Sequence, residues 1–238
     1  MSDRQKIIEV LRKELESKSY VHAFWEEGSS PQGFADEYSD LDLWLSVDDD
    51  KVHMIFDEIN HILSKVGEID YEYISKPLGE LDAHAYHIKD TNEHLFIDVN
   101  TQGISRDVYL TRGIDEANII FDKRGVVKFK DREEYKGNIE EERQKLNKFF
   151  QQQSSHLKKS MERNRPLEVL YYWDKMLQSI TVFLRKKHGW HDKTEYDLKH
   201  IHRDLPEEAV KKLQYFYDTK ISEIESKIQE LQEWKKSL

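Results

Sequence analysis

The stretch GSSPQGFADEYSDLDL, residues 28–43, joins two short apolar runs that both have the character of β-strands. Gly28 has no Cβ, so a phosphate group can approach its backbone closely. Asp40 and Asp42 alternate with leucines where the second run begins, and alternate residues of a strand share a face. Two such carboxylates repel each other unless a cation lies between them, and Mg²⁺ prefers oxygen ligands. The stretch therefore predicts a phosphate-binding loop beside a metal site.

The order of these residues resembles the signature of the nucleotidyltransferase superfamily typified by DNA polymerase β. The signature consists of Gly-Ser, a loop containing Gly33, and then Ser-Asp-Leu-Asp-Leu. More narrowly, it is similar to the small bacterial aminoglycoside and lincosamide nucleotidyltransferases. The motifs cover about residues 18–130, and the helical remainder is similar in architecture only. The resemblance implies transfer of AMP from Mg-ATP to a hydroxyl of a small molecule, with release of pyrophosphate and a role in antibiotic resistance.

The resemblance also assigns roles to individual side chains. The residues implied to be catalytic and to bind metal, with two Mg²⁺ ions expected, are Asp40, Asp42 and Asp98. The residues implied to bind the nucleotide are Gly28, Ser29, Ser30 and Ser39. Asp98 would bind a second ion or accept the proton of the attacking hydroxyl. Relatives often carry Arg or a bulkier residue where this chain has Ser30, which is a departure in the phosphate loop.

The amino-acid composition excludes several kinds of site and disfavours some kinds of partner. The 238 residues include no cysteine, so disulfides and thiolate metal sites are excluded. No run of 18 apolar residues and no signal-like segment occurs, so we expect a cytoplasmic protein without a membrane span. Residues 1–135 hold 16 basic and 30 acidic residues, whereas residues 136–238 hold 21 and 17. The acidic half argues against nucleic acid as a partner and suits a metal site or a cationic acceptor.

The periodicity predicts an α+β protein with two domains. Residues 1–135 should form a nucleotidyltransferase-like domain with a small mixed sheet, and residues 136–238 an all-α bundle. The runs that predict strands are 21–25, 41–47, 69–74, 84–88 and 94–99, and residues 119–127 predict a strand, a tight turn at Gly125 and a second short strand. The runs that predict helices are 3–16, 52–66 (capped within Asp48–Asp50), one that is capped by Asn138 or Asp131 and runs to about 163, 166–188 and one long final helix from 207. Residues 101–116 have the character of a loop.

The helical half has more than one interpretation. It could line a substrate cleft with the first domain, or its C-terminal helices could form a homodimer. Its aromatic groups at 171–173 and 215–217 are better explained as core than as a ligand wall. Its histidines lack the spacing of a zinc site, and we expect them to be peripheral. The residues that could supply positive charge to a triphosphate are Arg106, Arg112, Arg185, Lys186, Lys187 and Lys199.

Three functions remain open from the sequence. The first is an adenylyltransferase acting on a small molecule, such as a cationic, aminoglycoside-like antibiotic. The second is an adenylyltransferase that modifies a protein or RNA partner, as in toxin–antitoxin pairs. The third is a catalytically inactive nucleotide-binding or interaction protein, in which the acids are incidental. Convergence of Asp98 with Asp40 and Asp42 would favour either of the first two functions over the third.

Overall fold

The computed structural model describes residues 2–77, 79–107 and 109–238, and the chain divides into two compact units, Met1–Glu133 and Glu134–Leu238. The helices of the first unit are α1 (Asp3–Leu15) and α2 (Ile55–Leu63), with a 3₁₀ turn at Asp49–Lys51. Its strands are β1 (Val21–Glu27), β2 (Leu41–Val47), β3 (Ile69–Ile74), β4 (Leu81–Ile88), β5 (Ile97–Gly103), β6 (Tyr109–Thr111), β7 (Asn118–Asp122) and β8 (Lys128–Lys130).

Six of the strands form one mixed sheet in the order β3-β4-β5-β2-β1-β7. Strands β2 and β5 are parallel, and every other neighbouring pair in this sheet is antiparallel. Strands β6 and β8 form a separate parallel pair. The predicted α+β class and the mixed sheet are thereby confirmed.

Helices α1 and α2 pack on one face of the six-stranded sheet. The alternation of β2 places Leu41, Leu43 and Leu45 in this core, each at most 1% exposed. Ile97 and Val99 of β5 join the same core. The residues between them, including the acids of both strands, consequently belong to the opposite face. A smaller apolar cluster around β6 and β8 contacts part of that opposite face.

The predicted start of the second helix is wrong. The acids at 48–50 do not cap it, since α2 begins at Ile55 and no side-chain cap bond is formed. Asp48 Oδ1 instead lies 2.7 Å from Nε2 of the buried His22. Asp49 Oδ1 accepts a hydrogen bond from the Ser105 amide at 3.1 Å. Both acids are thus occupied by contacts distant in sequence.

The predicted loop at 101–116 is also partly wrong, apart from residue 108, which lies outside the described residues. Strand β5 continues through Thr101 to Gly103 because it pairs with β2 on one side and β4 on the other. The Thr101 hydroxyl donates to the Val52 carbonyl at 2.8 Å, which compensates a polar residue in the core. Local composition could not reveal these pairings.

The second unit is entirely helical in its regular structure. Its elements are α3 (Ile139–Glu162), α4 (Pro166–Lys187), α5 (Ile201–Asp204), α6 (Glu207–Tyr217) and α7 (Ile224–Ser237), with 3₁₀ turns at His191–Tyr196 and Ile221–Glu223. The predicted single final helix is wrong, because α6 ends at Tyr217 and α7 folds back so that Trp234 stacks on Phe216 at 5.5 Å. In the described part of the chain, no helix combines the length and apolar character that crossing a membrane requires.

Candidate active site

Two of the predicted carboxylates are neighbours across parallel strands. Asp42 of β2 is in register with Asp98 of β5, and the flanking partners are Leu41 with Ile97 and Leu43 with Val99. Because those apolar flanking residues enter the helix-covered core, both acids belong to the opposite face of the sheet. Adjacent strands are about 4.8 Å apart, so the two side chains start from neighbouring positions.

The glycine that begins the loop lies against one of these acids. Gly28 follows β1 directly and has φ +81°, a conformation that L-residues rarely adopt. A Cβ at this position would overlap Asp42 Oδ2 and lie 2.9 Å from Asp42 Cγ. Gly28 is therefore required both for its backbone conformation and for the close approach to the carboxylate.

The carboxylates perturb one another electrostatically. Burial, followed by the charges of Asp98 and Asp40, raises the pKa of Asp42 to about 6. Burial and the charge of Asp40 also raise the pKa of Asp98. Asp40 itself lies just before β2 and is exposed, so it does not share the strand geometry expected from the sequence. The charge of Asp40 nevertheless raises the pKa of both other acids.

A fourth acid was not found by sequence reasoning. Glu27, the last residue of β1, is the register partner of Asp42. Burial raises its pKa to about 7, with further contributions from the charges of Asp115 and Asp42, while a hydrogen bond from Trp25 Nε1 at 2.7 Å opposes the shift. Its sequence context, a strand end before Gly-Ser, gave no sign that its side chain would adjoin the Asp-x-Asp motif.

The loop serines differ in their availability. The backbone turns at Ser29 and Ser30, whose carbonyls accept hydrogen bonds from Phe34 and Gly33 at 2.9 and 3.0 Å. Within the described residues, neither serine hydroxyl has a hydrogen-bond partner, so both can donate to a ligand. The Ser39 hydroxyl, in contrast, donates to Asp36 Oδ1 at 2.8 Å and accepts from the Asp36 amide at 3.0 Å. Ser39 therefore shapes the loop end, and its hydroxyl is already engaged.

An arginine from α1 fixes the same loop end. Arg4 donates to the carbonyls of Ser39 and Asp40 at 2.8 and 2.9 Å, and to Glu26 Oε1 at 2.9 Å. Glu26 is only 4% exposed, so this ion pair compensates a charge that would otherwise be buried alone. Sequence reasoning missed Arg4, because nothing in an amphipathic helix indicates a contact 35 residues away.

Most of the cations considered as phosphate ligands are already engaged. Arg185 is fully buried against Asp204, which excludes the solvated role expected for most of these residues. Lys186 pairs with Glu142 at 2.6 Å, and Lys187 donates to the Leu238 carbonyl. Arg106 donates to Gln102, a residue of β5, and its charge lowers the pKa of Glu27. Arg106 thus acts electrostatically on an acid of this site.

The histidines considered as nucleotide contacts have other partners. His84 stacks on Phe56 of α2 with centroids 3.7 Å apart, on the helix-covered face of the sheet. His87 Nδ1 lies 2.6 Å from Asp70 Oδ1. The ring of His94 lies 5.2 Å from that of Tyr38. None of these contacts involves the acidic site.

The fit to a metal ion depends on the donor chemistry of the site. Across residues 2–77, 79–107 and 109–238, no group of three or more His, Asp or Glu side chains is arranged to hold a metal ion. Mg²⁺, however, is commonly bound by one or two carboxylates, with water and substrate phosphates completing its shell. Asp42 and Asp98 supply two such oxygen donors whose mutual repulsion a cation would relieve. The residues present are compatible with Mg²⁺ that arrives with a phosphate ligand.

No protein-family model matches the chain, and no curated protein shows significant similarity to it. A function therefore has to be argued from the site itself. Its components are paired carboxylates, a glycine against one of them and two hydroxyls without partners.

Proposed function

We propose that this protein is a metal-dependent nucleotidyltransferase that transfers AMP from ATP to a hydroxyl of a small-molecule acceptor. The observation that carries the proposal is the register of Asp42 with Asp98, together with the contact of Gly28 on Asp42. Neither carboxylate has an ion-pair partner among the described residues. Acids that serve only the fold are usually paired when they are partly buried, because an isolated charge is costly there.

The acids would hold Mg²⁺ together with the triphosphate. Asp40, Asp42 and Asp98 are the candidate ligands, and two ions are proposed. When bound, Mg²⁺ neutralises phosphate charge and makes the α-phosphorus more electrophilic. The chain's own contribution is to place Asp42 and Asp98 side by side on the two central strands of the sheet, where neither has an ion-pair partner among the described residues.

The loop and the acids divide the remaining tasks. The Ser29 and Ser30 hydroxyls donate to the β- and γ-phosphates, and Gly28 allows the phosphates to approach the backbone. A bond forms between the acceptor oxygen and the α-phosphorus, and the bond from the α-phosphorus to the bridging oxygen breaks, releasing pyrophosphate. Asp98 either binds the second ion or accepts the proton of the attacking hydroxyl, and its raised pKa favours the second of these roles. Positioning and charge neutralisation supply most of the acceleration.

The acceptor class follows from charge. Residues 21–50 contain nine acids and no Lys or Arg, which favours a cationic acceptor and disfavours nucleic acid. A polyamine-like antibiotic, such as an aminoglycoside, has both the hydroxyls and the positive charge that this surface suits. The location that agrees with this proposal is the cytoplasm, where ATP and Mg²⁺ are plentiful.

The test uses ATP labelled at the α-phosphate, Mg²⁺ and a panel of aminoglycosides. We expect label to appear on at least one acceptor, with one pyrophosphate formed per transfer. Transfer of label to protein or RNA instead would replace the acceptor class and keep the chemistry. If wild-type protein neither binds ATP in a Mg²⁺-dependent way nor forms pyrophosphate with any acceptor, the proposal is wrong.

The control uses matched variants of one residue type. Asp42→Asn keeps the shape of the side chain and removes its charge, and it should abolish Mg²⁺-dependent ATP binding. Asp90→Asn removes an equal charge from an exposed turn at φ +65°, where asparagine is well tolerated, and it should bind ATP normally. Equal ATP affinity in the two variants would contradict the metal site.

A further inference from the structure

The helical unit contains a cavity of its own, with a volume of about 410 Å³. It lies along one side of α4 and is lined by Leu167, Leu170, Tyr171, Trp173, Asp174 and Tyr217. Three of these side chains are unusually exposed for their type, at 77% for Leu167, 55% for Tyr171 and 41% for Leu170. The volume falls within the range of about 300–1,000 Å³ that small-molecule sites occupy. The cavity is therefore large enough for a small ligand, and its wall is apolar and accessible.

One carboxylate in this cavity lacks a cationic partner. Within the described residues, no Lys, Arg or His nitrogen lies within 4.0 Å of the Asp174 carboxylate. Its hydrogen bond comes from the neutral amide of Gln178, whose Nε2 is 2.9 Å from Asp174 Oδ2 and 3.3 Å from Asp197 Oδ2. Two half-buried acids thus share one neutral donor. Burial and the charge of Asp197 raise the pKa of Asp174 as a consequence.

Lys175, which follows Asp174 in the sequence, does not form an ion pair with it. Lys175 Nζ donates to Gln178 Oε1 at 2.8 Å and lies 5.7 Å from the centroid of the Tyr171 ring. Its charge lowers the pKa of Asp174, but less than burial and Asp197 raise it. The local balance of Asp174, Asp197 and Lys175 is one net negative charge beside an apolar wall.

The hydroxyl group of Tyr217 is a second polar group in this cavity that lacks a well-formed hydrogen bond. The hydroxyl oxygen of Tyr217 is buried and has no partner at ordinary hydrogen-bond geometry among the described residues. It is nevertheless near enough to the Asp174 carboxylate to lower the pKa of that acid slightly. Burial and the charge of Asp174 raise the pKa of Tyr217, so the phenol stays protonated. A buried polar group without a well-formed hydrogen bond costs free energy that a bound ligand could recover.

We propose that this cavity binds a small organic ammonium ion with an apolar body. The ammonium group donates to the Asp174 carboxylate and to the Tyr217 hydroxyl oxygen, and the aromatic rings of Tyr171 and Tyr217 favour the cation. The apolar body covers Leu167 and Leu170. A hydrated metal ion would gain nothing from that wall, and a neutral apolar ligand would leave the carboxylate without compensation. The proposal concerns the helical unit alone and does not depend on nucleotidyl transfer.

The test measures binding of 2-phenylethylammonium to the full chain by isothermal titration calorimetry at low ionic strength. The reference ligand is 2-phenylethanol, which has the same apolar body and no charge. We expect the ammonium ion to bind roughly tenfold more tightly than the alcohol. Asp174→Asn should remove most of that ratio while leaving the affinity for the alcohol unchanged.

The variants should fold like the wild-type protein. In Asp174→Asn, the new amide oxygen can still accept the hydrogen bond of Gln178, and removal of a charge whose pKa is raised should not destabilise the fold. Tyr217→Phe removes only the hydroxyl and should weaken ammonium binding about threefold. Glu225→Gln removes an exposed charge from α7 and should leave the ratio unchanged.

The outcomes separate clearly. Equal affinity for the ammonium ion and the alcohol overturns the proposal, as does an Asp174→Asn variant that keeps the full ratio. If Glu225→Gln lowers the ratio of the two affinities as much as Asp174→Asn does, only the net charge of the unit attracts the cation. That result also overturns the proposal. Because no measurement uses ATP, failure here leaves the proposed transferase activity untouched.

Discussion

Asp204 of the helical unit and the pair Asp42 and Asp98 of the sheet unit differ in how their charge is compensated. In the helical unit, Asp204 is 2% exposed in its side chain, and the fully buried Arg185 pairs with it, with Lys193 Nζ at 3.5 Å. In the sheet unit, Asp42 and Asp98 are neighbours with no cation between them, and the charge of Asp98 raises the cost of ionising Asp42. The first arrangement is complete without a ligand. In the second arrangement, the two carboxylates repel each other, and a divalent cation bound between them would remove that repulsion. This difference distinguishes the structural ion pair of Arg185 and Asp204 from the candidate site at Asp42 and Asp98.

The largest loss of stability is expected when the ion pair between Arg185 and Asp204 is removed. Arg185→Met should lower the free energy of unfolding by about 3–5 kcal/mol, because it leaves the buried Asp204 with Lys193 as its one remaining cationic partner among the described residues. The variant also loses the hydrogen bonds from Arg185 to the Asp197 carbonyl. Urea unfolding measures the loss. In the double variant with Asp204→Asn, the loss should be smaller than the sum of the two single losses, and strict additivity would contradict a direct interaction.

The next largest effect concerns the contact between the loop and Asp42. Gly28→Ala should destabilise the fold by about 2–3 kcal/mol, since it combines an unfavourable positive φ with an overlap on the carboxylate. Gly33→Ala is the matched control, because Gly33 has φ +76° but no atom within 4 Å of an added Cβ. It should cost only about 1 kcal/mol. Equal losses in urea unfolding would mean that the close approach to Asp42 is unimportant.

The uncompensated acids predict a pH dependence of smaller size. The pKa of Asp42 is raised from 3.8 to about 6, so the folded state binds its proton more tightly than the unfolded state. The stabilisation is fully present below about pH 4 and is lost as the pH rises through about 6. Without divalent ions, we expect Asp42 alone to raise the free energy of unfolding by about 1–2 kcal/mol between pH 7.5 and pH 5. Glu27 contributes to the pH dependence of stability with the same sign, since its pKa is raised to about 7.

Asp42→Asn provides the check on this prediction. Denaturant unfolding from pH 5 to 8 with EDTA should show a flatter pH profile in this variant and greater stability at pH 7.5. Asp90→Asn should retain the wild-type slope. A wild-type protein that loses stability on acidification over this range would contradict the repulsion between these acids.

The smallest effect should come from the arginine that fixes the loop end. Arg4→Lys keeps the charge opposite Glu26 but cannot reproduce the fork that reaches the Ser39 and Asp40 carbonyls. We expect a loss of about 0.5–1 kcal/mol in stability and a several-fold weaker affinity for Mg-ATP. Arg12→Lys, in a more exposed pair with Glu9 on the same helix, should change neither quantity. An unchanged Mg-ATP affinity in Arg4→Lys would show that the loop end does not need this support.

Local pattern and long-range pairing each account for identifiable parts of the fold. The alternation of apolar residues predicts β2 correctly, and the motif that contains Gly28 and Asp42 predicts that the two lie near each other. The predicted strand 94–99 begins and ends before the observed β5, and the prediction that the acids at 48–50 cap α2 is wrong. These errors share a cause, since pairing with distant strands and contacts with His22 decide the outcome there.

The sequence by itself determined which residues can be buried and which carry chemistry, because periodicity and side-chain type are local properties. Only the tertiary structure decided that Asp42 and Asp98 are in register, that Glu27 adjoins them and that Arg4 holds the loop. It also decided that Asp174 lines an apolar cavity and has no ion-pair partner among the described residues. Strand register and charge compensation depend on residues far apart in the chain, and their free energies become defined only when the fold brings those residues together.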